Sequence, residues 1–303
     1  MSQGSSEGNK RIIVGPAGWS YKDWNGIVYP RSPGPEFDPL AYLAKFFDTI
    51  EINSSFYRPP TAETAQSWVA RVAGNLNFRF TAKLHKLFTH ARGKATPKDE
   101  KDFRLGVDPL AEAGRLGAIL IQFPWSFKNE MEERQYLIQL LERFKDYPRV
   151  VELRHASWNS ATIYQTLEDL AVGFCNIDQP LFDKSIKPSA TSTSMVGYVR
   201  LHGRNYQNWF REEAGVEERY DYLYSPDELE PWIARIKEVA KQTKETYVIA
   251  NNHFRGQAVT NALEVKAVIE QELVPGPARL LATYPRLIES IVPDAENDQP
   301  SLF

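Results

Sequence analysis

Eight short stretches of strand character recur along the chain, at 11–15, 48–53, 77–85, 117–123, 149–154, 172–178, 196–202 and 246–251. Helical spacing separates most of them. After the cap-like Asp38, Leu40, Leu43, Ala44 and Phe47 recur at helical intervals over 39–47. Ala65, Trp68, Val69 and Val72 do so over 61–73, and Leu137, Leu140, Leu141 and Phe144 over 129–145. Ser225, Pro226 and Glu228 supply an N-cap, a first-turn proline and a capping box, and a last helix is predicted over 256–273. Strand alternating with helix eight times predicts an α/β fold, the (β/α)8 TIM barrel, as one domain over 11–292. The connection 179–195 is polar, with Pro180, Pro188 and a Ser/Thr run, and has no helical period. The predicted barrel is therefore irregular, with a helix missing between strands 6 and 7. A doubly wound open sheet is the competing topology.

Four strands place charge opposite their apolar residues. Alternation sends the two sets to opposite faces. With apolar residues outward against helices, the inward set is Glu51 and Asn53, then Arg79, Thr81, Lys83 and His85. Leu120 and Gln122 follow on strand 4, Glu152 and Arg154 on strand 5, and Asn176 and Asp178 on strand 6. Strand 7 gives Arg200 and His202, while strand 8 leaves open whether Asn251 or Asn252 faces in. Barrel sites lie at the C-terminal ends of strands, which selects Asn53, Lys83, His85, Gln122, Arg154, Asp178, His202 and Asn251 or Asn252. Glu51, Glu152 and Arg200 lie one layer lower. Their bland reading is an ion-pair lattice in which Glu51 and Glu152 neutralise Arg79 and Arg200.

The balance of signs guides the chemistry. Four cations (Arg79, Lys83, Arg154, Arg200) face three carboxylates (Glu51, Glu152, Asp178). That mixture disfavours a bound cation, so no cofactor is expected. Should a divalent metal bind, Glu152, Asp178 and His202 are its ligands. The favoured reading is an enzyme, a hydrolase, lyase or isomerase, acting on a small or terminal phosphorylated or carboxylated substrate. Arg154, Arg200 and Lys83 hold the anion, Glu152 or Asp178 is the base, and His202 is the acid or electrophile.

Segment 84–98 carries Lys86, Arg92, Lys94 and Lys98 with His85 and His90 and no acid. Trp19, Trp24, Trp125, Trp158 and Trp209 follow strands, and Tyr57-Arg58-Pro59-Pro60 forms a rigid turn over the mouth. Together these support the alternative of a nucleic-acid-binding or processing protein. The net charge of −3 confines any such contact to a local patch. A non-catalytic binding scaffold is the third reading. Residues 1–10 and 293–303 are expected to be disordered tails. The single Cys175 reads as a small buried hydrophobe and suits a reducing compartment. With no signal-like start and no apolar run of membrane length, a cytoplasmic location without membrane contact is expected. Nothing in the sequence indicates the oligomeric state.

The motifs together resemble a known family. They are Gly15-Pro-Ala-Gly-Trp-Ser-Tyr21, Glu51-Ile-Asn-Ser-Ser-Phe-Tyr-Arg58, Phe80-Thr-Ala-Lys83 with Thr89-His90, and Gln122-Phe-Pro124. Val151-Glu-Leu-Arg-His155 with Ser157-Trp158, Val199-Arg-Leu-His-Gly203, and Asn251-Asn252 with Gly256 complete them. From about Ile12 to Ile269 the chain resembles the YecE-like family, domain-of-unknown-function family 72. The resemblance implies a TIM barrel shaped like the xylose-isomerase-like and apurinic-endonuclease barrels, and names no reaction. Its recurrent polar positions fall on Glu51, Asn53, Lys83, Gln122, Glu152, Arg154, Asp178, Arg200, His202 and Asn252. Pro16-Ala17 stands where the family usually has two small hydroxylic residues, so any substrate contact they make is absent here.

Overall fold

The computed structural model describes residues 10–209, 211 and 219–294. All eight expected strands form. They are β1 (Arg11–Pro16), β2 (Thr49–Ile52), β3 (Arg79–Lys83), β4 (Leu116–Gln122), β5 (Arg149–Glu152), β6 (Gly173–Asp178), β7 (Val196–Leu201) and β8 (Glu245–Ala250). They pair in parallel in the order β1-β8-β7-β6-β5-β4-β3-β2. A single bridge joins β1 to β2: Ala17 pairs with Glu51, and the Gly18 amide donates to the Glu51 carbonyl at 2.8 Å. Gly15 permits this approach, because a Cβ there would stand 1.9 Å from the Thr49 carbonyl oxygen. The ring nearly closes, which makes the fold a (β/α)8 TIM barrel and excludes the open sheet.

The outer layer contains α1 (Pro39–Leu43), α2 (Ala62–Arg71), α3 (Lys86–Thr89), α4 (Pro97–Glu112), α5 (Met131–Arg143), α6 (Ala161–Asp169), α7 (Pro226–Gln242) and α8 (Gln257–Glu270). Asp38 caps α1 by accepting from the Leu40 and Ala41 amides, and Ser225 with Glu228 forms the expected box on α7. Three helices beyond those predicted, α3, α4 and α6, belong to this layer. The start of α4 is a second capping box, Thr96 with Asp99, which turns the end of the basic segment into a helix.

No helix lies within 179–195, as expected. This gap decides the orientation of β6. The register aligns Cys175 with Tyr198, Ile177 with Arg200, Asn176 with Val199 and Asp178 with Leu201. Paired residues of parallel strands share a face. Cys175 and Ile177 therefore line the interior, and Asn176 and Asp178 face outward, the reverse of the parity expectation. The rule that outward residues are apolar needs a covering helix, and here there is none. Segment 189–191 covers β6 through polar contacts instead. Asn176 Oδ1 accepts from Ser189 Oγ at 2.6 Å and from the Thr191 amide at 2.8 Å.

A small second sheet follows the barrel, β9 (Val274–Pro277) with β10 (Ile291–Asp294). Regular structure thus runs to Asp294 rather than ending at 292; the rest of the C-terminal tail expectation, 295–303, and residues 1–9 lie outside the described residues. Among the described residues, no helix is long and apolar enough to cross a membrane.

Candidate active site

The lower inner layer is an ion-pair lattice centred on Arg200. This fully buried side chain bridges two fully buried carboxylates, reaching Glu152 Oε2 at 2.5 Å and Glu51 Oε1 at 2.7 Å. Gln122 Oε1 accepts from the same guanidinium at 3.2 Å. The Tyr198 hydroxyl lies 2.9 Å from Glu51 Oε2 and 2.7 Å from Thr81 Oγ1. Arg79 takes no part, because its guanidinium turns to the Leu76 and Phe78 carbonyls at the bottom rim. Burial by itself would raise the Glu152 carboxyl, but the Arg200 and Arg154 guanidiniums override it and hold Glu152 well below the usual carboxylate range.

His202 stands above this layer. Its Nδ1 lies 3.0 Å from Asn251 Nδ2, and its Nε2 lies 3.3 Å from both Glu152 Oε1 and Arg200 Nη1 and 3.4 Å from Arg154 Nη2. Burial pushes its pKa down to about 3. Asn251 is thereby the inward asparagine of strand 8. Asn252 turns away, its Nδ2 donating to the Tyr222 carbonyl and to Asn261 Oδ1, each at 2.8 Å.

Two adjoining cavities open at the C-terminal mouth. The larger, about 510 Å³, has Lys83, Asn53 and Asn251 among its polar lining and Trp19, Tyr21 and Tyr57 among its aromatic walls. The smaller, about 200 Å³, is lined by Arg154, Arg219, His90, Gln122, Trp125 and Trp209, among others. Tyr220 belongs to both. No carboxylate lines either cavity among the described residues. Arg154 is aimed from below, its Nε 2.7 Å from Glu152 Oε1, and lies 5.8 Å from the Trp209 ring. Lys83 Nζ sits 4.5 Å from the Phe56 ring centroid and makes no hydrogen bond or ion pair with a described residue. Burial, with the charge of Arg200, lowers its pKa to about 7 against the pull of Glu51 and Glu152. Burial, then Arg154 and Lys83, likewise bring His90 down to about 4.

Several expected residues are placed elsewhere. Asp178 faces outward, accepting from Arg204 at 2.9 and 3.1 Å and from the Tyr224 hydroxyl at 2.5 Å. The ligand set for a metal is therefore split: Glu152 and His202 adjoin, and Asp178 is on the other face of β6. Among the described residues no group of three or more His, Cys, Asp and Glu is arranged to hold a metal. His85 follows β3 rather than ending it; its Nδ1 caps α3 and its Nε2 lies 3.1 Å from the Tyr57 carbonyl. Trp158 is fully buried and donates to the Phe127 carbonyl at 2.7 Å, and Trp24 is buried in the same way against His253. Arg58 is exposed and lines neither cavity. Conversely, Tyr21, Arg219, Tyr220 and His253 enter the mouth without an expectation. They come from the connections after strands, where strand alternation assigns no direction; Tyr21 alone had a signal, in the motif ending Trp19-Ser-Tyr21.

These motifs sit within the segment, residues 13–281, that matches the family model "Protein of unknown function DUF72". The chain belongs to the DUF72 family. It is similar to UPF0759 protein YunF of Bacillus subtilis (strain 168), 30% identical over 277 residues, 86% of this chain and 95% of that one. Among solved structures it is similar to a DUF72 family protein from Thermotoga maritima MSB8, with 35% identity, a TM-score of 0.75, and coverage of 86% of this chain and 99% of that one. A DUF72 family protein from Enterococcus faecalis V583 is 25% identical, with a TM-score of 0.73 and coverage of 86% and 96%. The DUF72 match covers every inner-layer and mouth residue named above, and the family name carries no reaction.

Proposed function

We propose that this DUF72 protein is an enzyme that takes a small or terminal anionic substrate, phosphorylated or carboxylated, at the C-terminal mouth of its barrel. One observation carries the reading. Lys83, Arg154 and Arg219 line the mouth cavities, no described carboxylate lines them, and Glu51 and Glu152 are fully buried beneath, Glu152 paired with both Arg154 and Arg200. An anion entering there meets positive charge in a poorly solvated setting, where such contacts are strongest. Arg154, braced by Glu152, binds the anion. Glu152 is committed to two guanidiniums and acts as a positioning group. Lys83, with a pKa of about 7, supplies general acid/base chemistry, because both of its forms are populated near neutrality. Hydrolysis, lyase chemistry and isomerisation all fit that assignment.

The nucleic-acid reading draws less support. Lys98 is paired with Asp102 at 2.5 Å, Arg92 lies 4.8 Å from the Phe127 ring, and Trp24 and Trp158 are interior. The test is a thermal-shift screen of small phosphorylated and carboxylated compounds against wild type and Arg154→Gln. A ligand at one hundred times its Kd stabilises by about 2.7 kcal/mol, and the variant is expected to lose that shift. Equal shifts in both proteins would remove Arg154 from the site. A shift only with single-stranded nucleic acid, falling steeply with salt, would favour the other reading.

A further inference from the structure

The lysine of the mouth differs from every other cation in the inner layers. Arg154 and Arg200 are ion-paired, whereas Lys83 Nζ has an aromatic ring on one side, a cavity on the other, and no described partner. An amine used only as a fixed charge gains from a carboxylate partner. One left unpaired between cationic neighbours and an apolar wall is arranged for use as a free base.

We propose that the Lys83 amine is an imine-forming nucleophile that captures the carbonyl carbon of a small keto or aldehyde acid in the 510 Å³ cavity. This rests on the anionic-substrate reading and specialises it: the acid group goes to Arg154, the carbonyl to Lys83. The Nζ lone pair forms the N–C bond, and the carbonyl oxygen takes up a proton to give a carbinolamine. The C–O bond then breaks, the oxygen leaves as water, and the nitrogen keeps one proton in the iminium form. The balance is amine plus carbonyl plus one proton from solvent giving iminium plus water: one amine proton and the solvent proton leave in the water, and nothing is oxidised or reduced. The iminium then serves as an electron sink for proton loss or bond cleavage at the neighbouring carbon, which narrows the reaction class to lyase or isomerase chemistry. Tyr220 lines both cavities, and Arg154 and Lys83 both act on His90, so acid and carbonyl of one molecule have a common mouth. The lowered Lys83 pKa, about 7, fits this use. At pH 7 it provides on the order of a thousandfold more free amine than an ordinary lysine.

The experiment uses glyoxylate as the probe, borohydride as the reductant that fixes any imine, and mass spectrometry of the full chain and its peptides. Wild type should gain one carboxymethyl group per chain, on the peptide holding Lys83, with a trapping rate that rises through a pH of about 7. Lys83→Arg should lose this adduct while keeping the wild-type melting temperature at pH 6, where both side chains are charged, and Arg154→Gln should need about tenfold more glyoxylate, equivalent to 1.4 kcal/mol. Adducts spread over surface lysines, or unchanged in Lys83→Arg, overturn the proposal. Inorganic phosphate in a parallel thermal-shift arm separates the two claims. If phosphate stabilises wild type but not Arg154→Gln and no Lys83 adduct forms, the anion site stands and the nucleophile falls. If neither response occurs, both fall.

Discussion

Arg200 and Lys83 show two opposite ways of placing a cation inside a barrel. Arg200 is buried and saturated with carboxylates, so its removal leaves Glu51 and Glu152 uncompensated. Arg200→Met is expected to cost about 3–5 kcal/mol, read as a lowered midpoint in urea; an unchanged midpoint would contradict the lattice. Lys83 has no ion-pair partner among the described residues, and its pKa falls from 10.5 unfolded to about 7 folded. Below pH 7 both states hold the proton and the folded state bears the full cost of confining the charge. Between about 7 and 10.5 the unfolded chain binds more protons, so the protein gains stability as pH rises. Lys83→Met should therefore melt above wild type at pH 6, with the difference shrinking toward pH 10. A difference that stays constant across that range would mean that Lys83 has an ordinary pKa. Both residues were legible as inward from alternation, but their different partners were not, because pairing depends on neighbouring strands.

Among the elements, β6 marks where alternation stops being a guide. Its polar set, Asn176 and Asp178, looked inward because its apolar set, Cys175 and Ile177, was assigned outward against a covering helix. The missing helix after β6, itself read from the polar segment 179–195, reverses that inference: an uncovered outer face tolerates polar side chains and a polar segment to bond them. Asn176→Leu should lose the acceptor for Ser189 and the Thr191 amide. The expected cost is about 1–3 kcal/mol, seen as a lower melting temperature and early proteolytic cleavage near 189–191. Wild-type stability would mean that segment 189–191 holds its place without that bond. Helix α4 was open to prediction, since Thr96-Pro-Lys-Asp99 has the form of a capping box; reading the segment by charge obscured it.

For the molecule as a whole, strand count and order follow from the alternation of elements, and the barrel follows from the count. The mouth is less legible because part of it comes from the connections after strands: Tyr21, Arg219, Tyr220 and His253 have no strand parity to fix them. What the whole barrel does is separate charge by depth, with carboxylates paired below and cations facing the cavities above. The central claim is that this arrangement serves an anion. Crystals soaked with inorganic phosphate test it most directly. The account predicts density in the cavity lined by Arg154 and Arg219, within hydrogen-bond distance of the Arg154 guanidinium, and its loss in Arg154→Gln crystals. Phosphate bound only elsewhere, or bound unchanged in the variant, would contradict it.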